Sequence, residues 1–195
     1  MPHAPQQKQK SRERILCAAM PLFKARGFED VSIDEVMAAA SLTRGGFYAH
    51  FRSKSDLIAE CFAAEVGAPT PAQEHAGANE LAKFADAYVS ALHRDNAADG
   101  CPIAALTQDV IREAEGPRGA YTGFLKYFTG VIDGYLGNTP GDQSDDAIAV
   151  LTQMVGTIMI ARAVDDPMLS TRILKAGRQA VDYLLPPEFH DEMDR

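Results

Sequence analysis

Residues 32–57 read SIDEVMAAASLTRGGFYAHFRSKSDL, two short helical signals around a tight turn, with an uncommon mixture of glycine, aromatic and basic side chains. Ser32 and Glu35 make a capping box: the serine hydroxyl accepts from an open amide of the first turn, and the glutamate reaches back to the serine N–H. A helix therefore starts at Ser32, with Ile33, Val36, Met37 and Ala40 as its apolar face. A second helix is expected from Thr43, capped by the threonine hydroxyl, through Phe51. Gly45 and Gly46 lie side by side inside it, each costing about 1 kcal/mol against alanine, so helix stability is not what selects them. Missing side chains let a flat partner approach the backbone. Arg44, Tyr48 and His50 surround the bare patch with donors suited to phosphates or base edges, while Phe47 and Phe51, four apart, face inward.

Ser53 and Asp56 form a second capping box, and Lys54 lies in the first turn of the helix they start. A cation beside open helix amides favours an anion. Two short helices joined at Ser41 and Leu42, the second displaying donors, describe a helix-turn-helix whose recognition helix enters the major groove.

In the capped helix, Gly45, the Phe47-Tyr48 pair, His50-Phe51 and Ser53-Lys54, the segment Arg14 to Phe62 resembles the DNA-binding motif of the tetracycline-repressor (TetR) family of bacterial regulators. The resemblance implies base-edge contacts from Arg44, Gly45 and Gly46, and phosphate contacts from Ser32, Thr43, Tyr48, His50 and Lys54. Two positions depart from the family pattern. Ser41 stands where a turn glycine is usual, so a left-handed backbone there costs up to about 1 kcal/mol. Asp34 stands where some members carry a basic or polar base-reading side chain, which moves sequence reading onto Arg44.

The net charge of −8 over 195 residues conceals a strong asymmetry. Residues 1–55 hold nine Lys or Arg against five Asp or Glu, and the remainder holds ten against twenty-two. The basic end is the DNA-binding end, and the acidic remainder is kept off the phosphate backbone. With 46% hydrophobic and 24% charged residues, one or two small domains with a sizeable core are expected. The first ten residues contain no apolar segment and no run is expected to span a membrane, so a cytoplasmic location without membrane partners is expected. Cys17, Cys61 and Cys101 are odd in number and lack metal-ligand spacing. His3, His50, His75, His93 and His190 include no pair at metal spacing, and no nucleophile elbow or phosphate loop occurs. Neither enzyme, cofactor nor metal site is expected. The tail EFHDEMDR is either a weak divalent-ion site or a solvated terminus.

Outward from the motif, Ile15, Ala18, Ala19, Leu22 and Phe23 mark a bracing helix over Ser11–Arg26, interrupted by Pro21 and ended by Gly27 as a left-handed cap. Lys8, Lys10, Arg12 and Arg14 at its start are either a basic arm or a solvated terminus. A helix from Ser53 to Val66 carries Leu57, Ile58, Cys61 and Phe62, and Gly67 to Ala78 reads as a joint. The expected division is a DNA-binding domain over 1–66 and a helical ligand-binding and dimerisation domain over 67–195. Beyond the joint, helical periodicity recurs in Leu81 to Leu92, in Ile103 to Glu115 after Pro102, and in Tyr121 to Leu136 between Gly116-Pro117 and Gly137. It returns in Ile148 to Asp165 and from Pro167 onward, so the fold class is all-α.

The rings Tyr88, Tyr121, Phe124, Tyr127 and Phe128 either pack a core or line a mostly apolar ligand cavity with tyrosine hydroxyls as polar handles. Cys101, at the N-terminus of the helix Pro102 opens, is placed for thiolate character. GCPIAAL is similar to the equivalent stretch in family members that sense electrophiles or oxidants, and Cys101 is either such a sensor or a structural thiol. Met154 to Leu169 also resembles the closing helix pair of the family. That resemblance implies a homodimer through the last two helices, with Leu151, Val155, Ile158, Leu174 and Val181 as interface positions and Gly156 and Gly177 permitting close approach, between chains or within one. The expectation is a homodimeric repressor on a palindromic operator, released by a small hydrophobic or electrophilic effector. The alternatives are a DNA-binding protein without ligand control and a small all-helical enzyme.

Overall fold

The computed structural model describes residues 4–67, 78–138 and 143–185. Among these, every regular element is helical: α1 Ala4–Arg26, α2 Ile33–Ala39, a 3-10 turn Arg44–Ala49, α3 Lys54–Glu65, α4 Ala78–Tyr88, α5 Ala91–Asp95, a 3-10 turn Ala97–Asp99, α6 Pro102–Val110, α7 Glu115–Tyr135, α8 Asp145–Ala163 and α9 Pro167–Leu184. The chain forms two compact units, residues 1–66 with 97–124, and residues 67–96 with 125–195. A unit boundary falls at the expected joint, but 97–124, with Cys101 and Tyr121, group with the helix-turn-helix. Most of the joint and the acidic tail lie outside the described residues.

In the first unit α1 is longer than the sequence suggested. Lys8 and Lys10 are helical residues, not an extended arm, because Pro5 falls in the first turn, where proline is tolerated, and no Pro or Gly follows it before Ser11. Gly27 ends α1 at φ +81°. Ile15, Phe23, Phe47, Phe51, Leu57 and Phe62 are wholly buried, which pins α1, α2, the 3-10 turn and α3 around one apolar centre. α6 packs on α1. Lys24 Nζ donates to Gly100 O at 2.9 Å, Phe28 N donates to Asp109 Oδ1 at 2.9 Å, and Phe62 meets the Tyr121 ring edge-on at 5.5 Å.

In the second unit the expected helix Leu81–Leu92 is broken. α4 stops at Tyr88, and Ser90 caps α5 by accepting from His93 N at 3.1 Å, leaving Leu92 exposed. Serine favours that cap because its hydroxyl competes with the backbone. At the first-unit end of α7, Gly116-Pro117 opens the helix instead of preceding it, since proline is tolerated in a first turn. Asp133, fully buried near the end of α7, accepts from Ser144 Oγ at 2.6 Å while Ser144 caps α8. α8 corrects one expectation: by length and composition it could cross a membrane, yet Val150, Leu151, Met154 and Ile158 are buried against the rest of the chain. It is here a core helix.

The α8–α9 pair also corrects the interface assignment. Leu151, Val155, Ile158, Leu174 and Val181 are at most 8% exposed within one chain, so they form this unit's own core and are not available as an outer face. Gly177 lets the helices meet. A Cβ there would stand 2.7 Å from Thr157 Cβ and closer still to Thr157 Oγ1 and Cγ2. Gly156 has nothing within 4 Å of its Cβ position. The apolar residues left outside are Ile148, Ile160, Met168, Leu169, Tyr183 and Leu184.

Candidate nucleic-acid interface

The capping box forms as the sequence requires. Glu35 N donates to Ser32 Oγ at 3.2 Å and Ser32 N to Glu35 Oε2 at 2.8 Å. Hydrogen bonds from the Ser32 backbone and from Arg26 hold the Glu35 carboxyl down to about 2. Charge-assisted bonds favour the ionised form, so this cap stays closed from neutral pH well into acid.

The turn after α2 contains Ser41 at φ +54°, the left-handed conformation that a glycine would reach more cheaply. Arg14 supports it from α1, its Nη2 donating to Ala40 O at 2.5 Å and to Ser41 O at 3.4 Å. That partnership spans 26 residues and has no local sequence signal.

The second element differs from expectation in kind. Arg44–Ala49 is a 3-10 turn, not an α-helix, and the Thr43 side chain makes no capping bond. Two adjacent glycines with two aromatic residues offer little intrinsic preference for an α-helix, and tight i to i+3 bonds suit so short a piece. Phe47 is wholly buried, whereas Tyr48 is 65% exposed. Gly45 has nothing within 4 Å of its Cβ position, and Gly46 has only the Met37 methyl, at 3.6 Å. The bare backbone patch therefore lies on the surface, with Thr43, Arg44 and Tyr48 exposed about it.

Arg44 Nη1 pairs with Asp34 Oδ2 at 2.6 Å, so the sequence departure on α2 and the base-reading candidate touch. His50 closes the turn half-buried, its Nδ1 buried with no hydrogen-bond partner among the described residues. Burial, then Lys8 and Arg12, lower its pKa below the usual 6.5. Arg12 itself stacks over Phe51, 5.3 Å from the ring centre, and pairs with Glu60 at 2.5 Å. Lys54 is in the first turn of α3 as expected, but its Nζ donates to Phe28 O. An ammonium has three donors, so that bond leaves others to face outward. Asp56 does not complete the second box: its carboxylate accepts from Arg52 N at 2.9 Å, while its own N–H donates to Ser53 Oγ.

The expected ligand residues fall into two groups. In the first unit Tyr121 and Phe124 gather on Phe62. The Tyr121 hydroxyl bonds Thr107 Oγ1 at 2.7 Å, and its pKa is raised by burial and, less, by nearby Cys101. Cys101 is the N-cap residue of α6, half-buried and without a side-chain capping bond. Cys61 is buried, its thiol pushed up to about 12 by desolvation and by Glu65 and Glu60, and Cys17 is exposed. In the second unit Tyr88 and Phe128 pack with Phe84, and Phe84 stacks on Tyr135 at 5.5 Å. These rings fill space as a core would. A separate recess of about 270 Å³ in this unit is lined by Arg94, Asp95, Arg162 and Ser170 among others and by none of the five expected ligand residues.

Residues 15–61 match the family described as bacterial regulatory proteins, tetR family. Among curated proteins, the HTH-type transcriptional regulator AcrR of Shigella flexneri is 44% identical over 55 residues, which is 28% of this chain. That match spans 26% of the relative's own length. Among solved structures, the reduced form of NemR from E. coli superposes with a TM-score of 0.69 at 18% identity, covering 90% of this chain and 98% of that one. AibR, solved in complex with isovaleryl coenzyme A and operator DNA, gives a TM-score of 0.56 at 18% identity, covering 91% and 99%. The sequence likeness is thus concentrated in the helix-turn-helix, and the likeness over the whole length is one of fold.

Proposed function

We infer that this chain, whose residues 15–61 match the family of bacterial regulatory proteins, tetR family, is a transcriptional repressor that binds a palindromic operator as a homodimer and is released by a small molecule. The observation that carries the reading is the exposed glycine patch of the 3-10 turn, ringed by Thr43, Arg44 and Tyr48 and braced from beneath by Phe47. Burying Phe47 contributes about 1.5–3 kcal/mol, enough to hold the turn while its outer side stays bare. Arg44 with Gly45 and Gly46 reads base edges, and Ser32, Thr43, Tyr48, His50 and Lys54 engage phosphates. The outer face of α8 and α9, with Ile148, Ile160, Met168 and Tyr183, replaces the buried set as the dimer surface. These large apolar side chains are exposed in the single chain, and a second copy seated on them would take them out of water.

Release follows from linkage. An effector that favours a separation of the two heads mismatched to the half-sites must weaken DNA binding, and DNA must weaken effector binding by the same factor. The effector class is hydrophobic or electrophilic, engaged within the first unit through Tyr121 and Phe124 or through Cys101, or within the second unit through Tyr88 and Phe128. AibR, of like fold, was solved with an acyl coenzyme A thioester as well as operator DNA, which supports testing acyl thioesters first. The experiment is fluorescence anisotropy of a duplex selected by the protein from a random pool, titrated with acyl thioesters and mild electrophiles. Dose-dependent release by one class is expected; specific binding that no such compound alters would leave a DNA-binding protein without this form of control.

A further inference from the structure

We propose that Asp34 and Arg44 act as one reading unit, in which Asp34 is a positioning residue that turns the Arg44 guanidinium toward a guanine and away from the phosphates. The inference rests on the operator-binding reading above and extends it to a residue that reading does not use. Asp34 lies on α2 and Arg44 at the start of the 3-10 turn, and their side chains meet at 2.6 Å. Both are more than half exposed, at 54% and 68%. So exposed a pair adds almost nothing to folding stability, and stability is no reason to hold it.

What the pair does is geometric. A free arginine beside a bare backbone patch would bind whichever phosphate came nearest, since a guanidinium recognises phosphate and base edge equally well. With Nη1 held by a carboxylate, the remaining edge of the fork points in a fixed direction, and two parallel N–H donors match the O6 and N7 acceptors of guanine. Gly45, next in sequence, offers no side chain to obstruct that approach. The carboxylate also cancels the charge of the arginine, so the pair releases no net counterion on binding. Its contribution is discrimination, purchased with some affinity.

The test uses the intact chain and a duplex pool randomised over about three helical turns. The parent protein selects a site; binding is then measured to that site and to versions with each base pair of one half-site replaced, for the parent, Asp34→Asn, Asp34→Ala, Arg44→Ala and the double variant Asp34→Ala with Arg44→Ala. With Asp34→Asn or Asp34→Ala, preference for guanine at one position per half-site should fall by about tenfold. Binding to unrelated duplex should strengthen, and its salt dependence should steepen by about one phosphate contact. In the Arg44→Ala background, removing Asp34 should leave base preference unchanged. Circular dichroism melts of all variants separate this from misfolding. Equal weakening on every sequence, or unchanged base preference in both Asp34 variants, overturns the proposal while leaving operator binding intact. Failure of the parent to select any site would remove the operator reading and this one with it.

Discussion

Replacing Gly177 with alanine should destabilise the chain, although the same substitution elsewhere in a helix stabilises. The added Cβ would lie 2.7 Å from Thr157 Cβ, and because that atom is fixed to the backbone of α8, no rotamer change relieves the contact. α8 and α9 must separate by at least about 0.7 Å to restore ordinary contact, and overpacking of this kind costs about 1–3 kcal/mol. Thr157 is further held by donating its Oγ1 hydrogen to Gln153 O at 2.7 Å. Against this, alanine gains about 1 kcal/mol of helix propensity, so the net loss is up to about 2 kcal/mol, or a melting temperature lower by up to about 8 °C. Gly119→Ala, on an exposed turn of α7 with nothing within 4 Å, supplies the reference and should gain about 1 kcal/mol. Adding Thr157→Ala to Gly177→Ala should recover only part of the loss, because the offending Cβ stays. Urea and thermal unfolding measure all three. If Gly177→Ala stabilises as Gly119→Ala does, the α8–α9 crossing is not as described, and the argument that Leu151, Val155 and Ile158 are core falls with it.

Arg44→Ala should cost about 1–3 kcal/mol on the selected operator and relax preference at one base pair per half-site, whereas Lys54→Ala should weaken all duplexes alike and reduce the salt slope by about 1; a salt titration in which both behave like the parent would deny them these roles. Lys54→Ala should also lower the melting temperature slightly, because its ammonium holds Phe28 O. His50, with its pKa below 6.5, is neutral in the free protein at pH 7, and a docked phosphate would favour its imidazolium. Operator affinity should therefore rise as pH falls from 8 toward 6, less so in His50→Gln; identical pH profiles would place His50 away from phosphate. The sign for folding is opposite, since a lowered native pKa means stability is lost as pH falls below 6.5 and through the lower native value, so melts are run alongside. A mild alkylating agent at neutral pH should label Cys101 before exposed Cys17, with Cys61 slowest because its thiol is held near 12; peptide mass mapping that shows Cys17 reacting first would remove special activation of Cys101 by α6.

Local chemistry made the helix-turn-helix legible. The Ser32–Glu35 box, the Gly27 cap and the inward pair Phe47 and Phe51 depend on residues within a few positions of one another, and each lies where the sequence reading put it. What stayed hidden depends on distance along the chain. Arg14 on the turn carbonyls, Asp109 on Phe28 N and Asp34 beside Arg44 are pairings over 10 to 81 residues, and a single sequence carries no signal for them. Periodicity identified the apolar stripes of α8 and α9 but could not say whether they met each other or another chain, because the same residues serve either contact. The tight Gly177–Thr157 crossing decides it for Leu151, Val155, Ile158, Leu174 and Val181. The second helix was misread for another reason: a helical pattern of apolar residues fits a 3-10 turn as well as an α-helix over so few positions.

The most direct measurement is binding of the intact chain to its selected duplex and to the same duplex with one half-site displaced by half a helical turn, with stoichiometry read by sedimentation velocity at several salt concentrations. A two-headed operator binder requires both recognition turns on one face of the DNA at the correct spacing. The account predicts a palindromic selected site, a whole number of dimers per duplex, affinity that falls steeply with salt, and loss of specific binding on displacement. Equal affinity for the displaced duplex, or binding of single chains without regard to sequence, would contradict it.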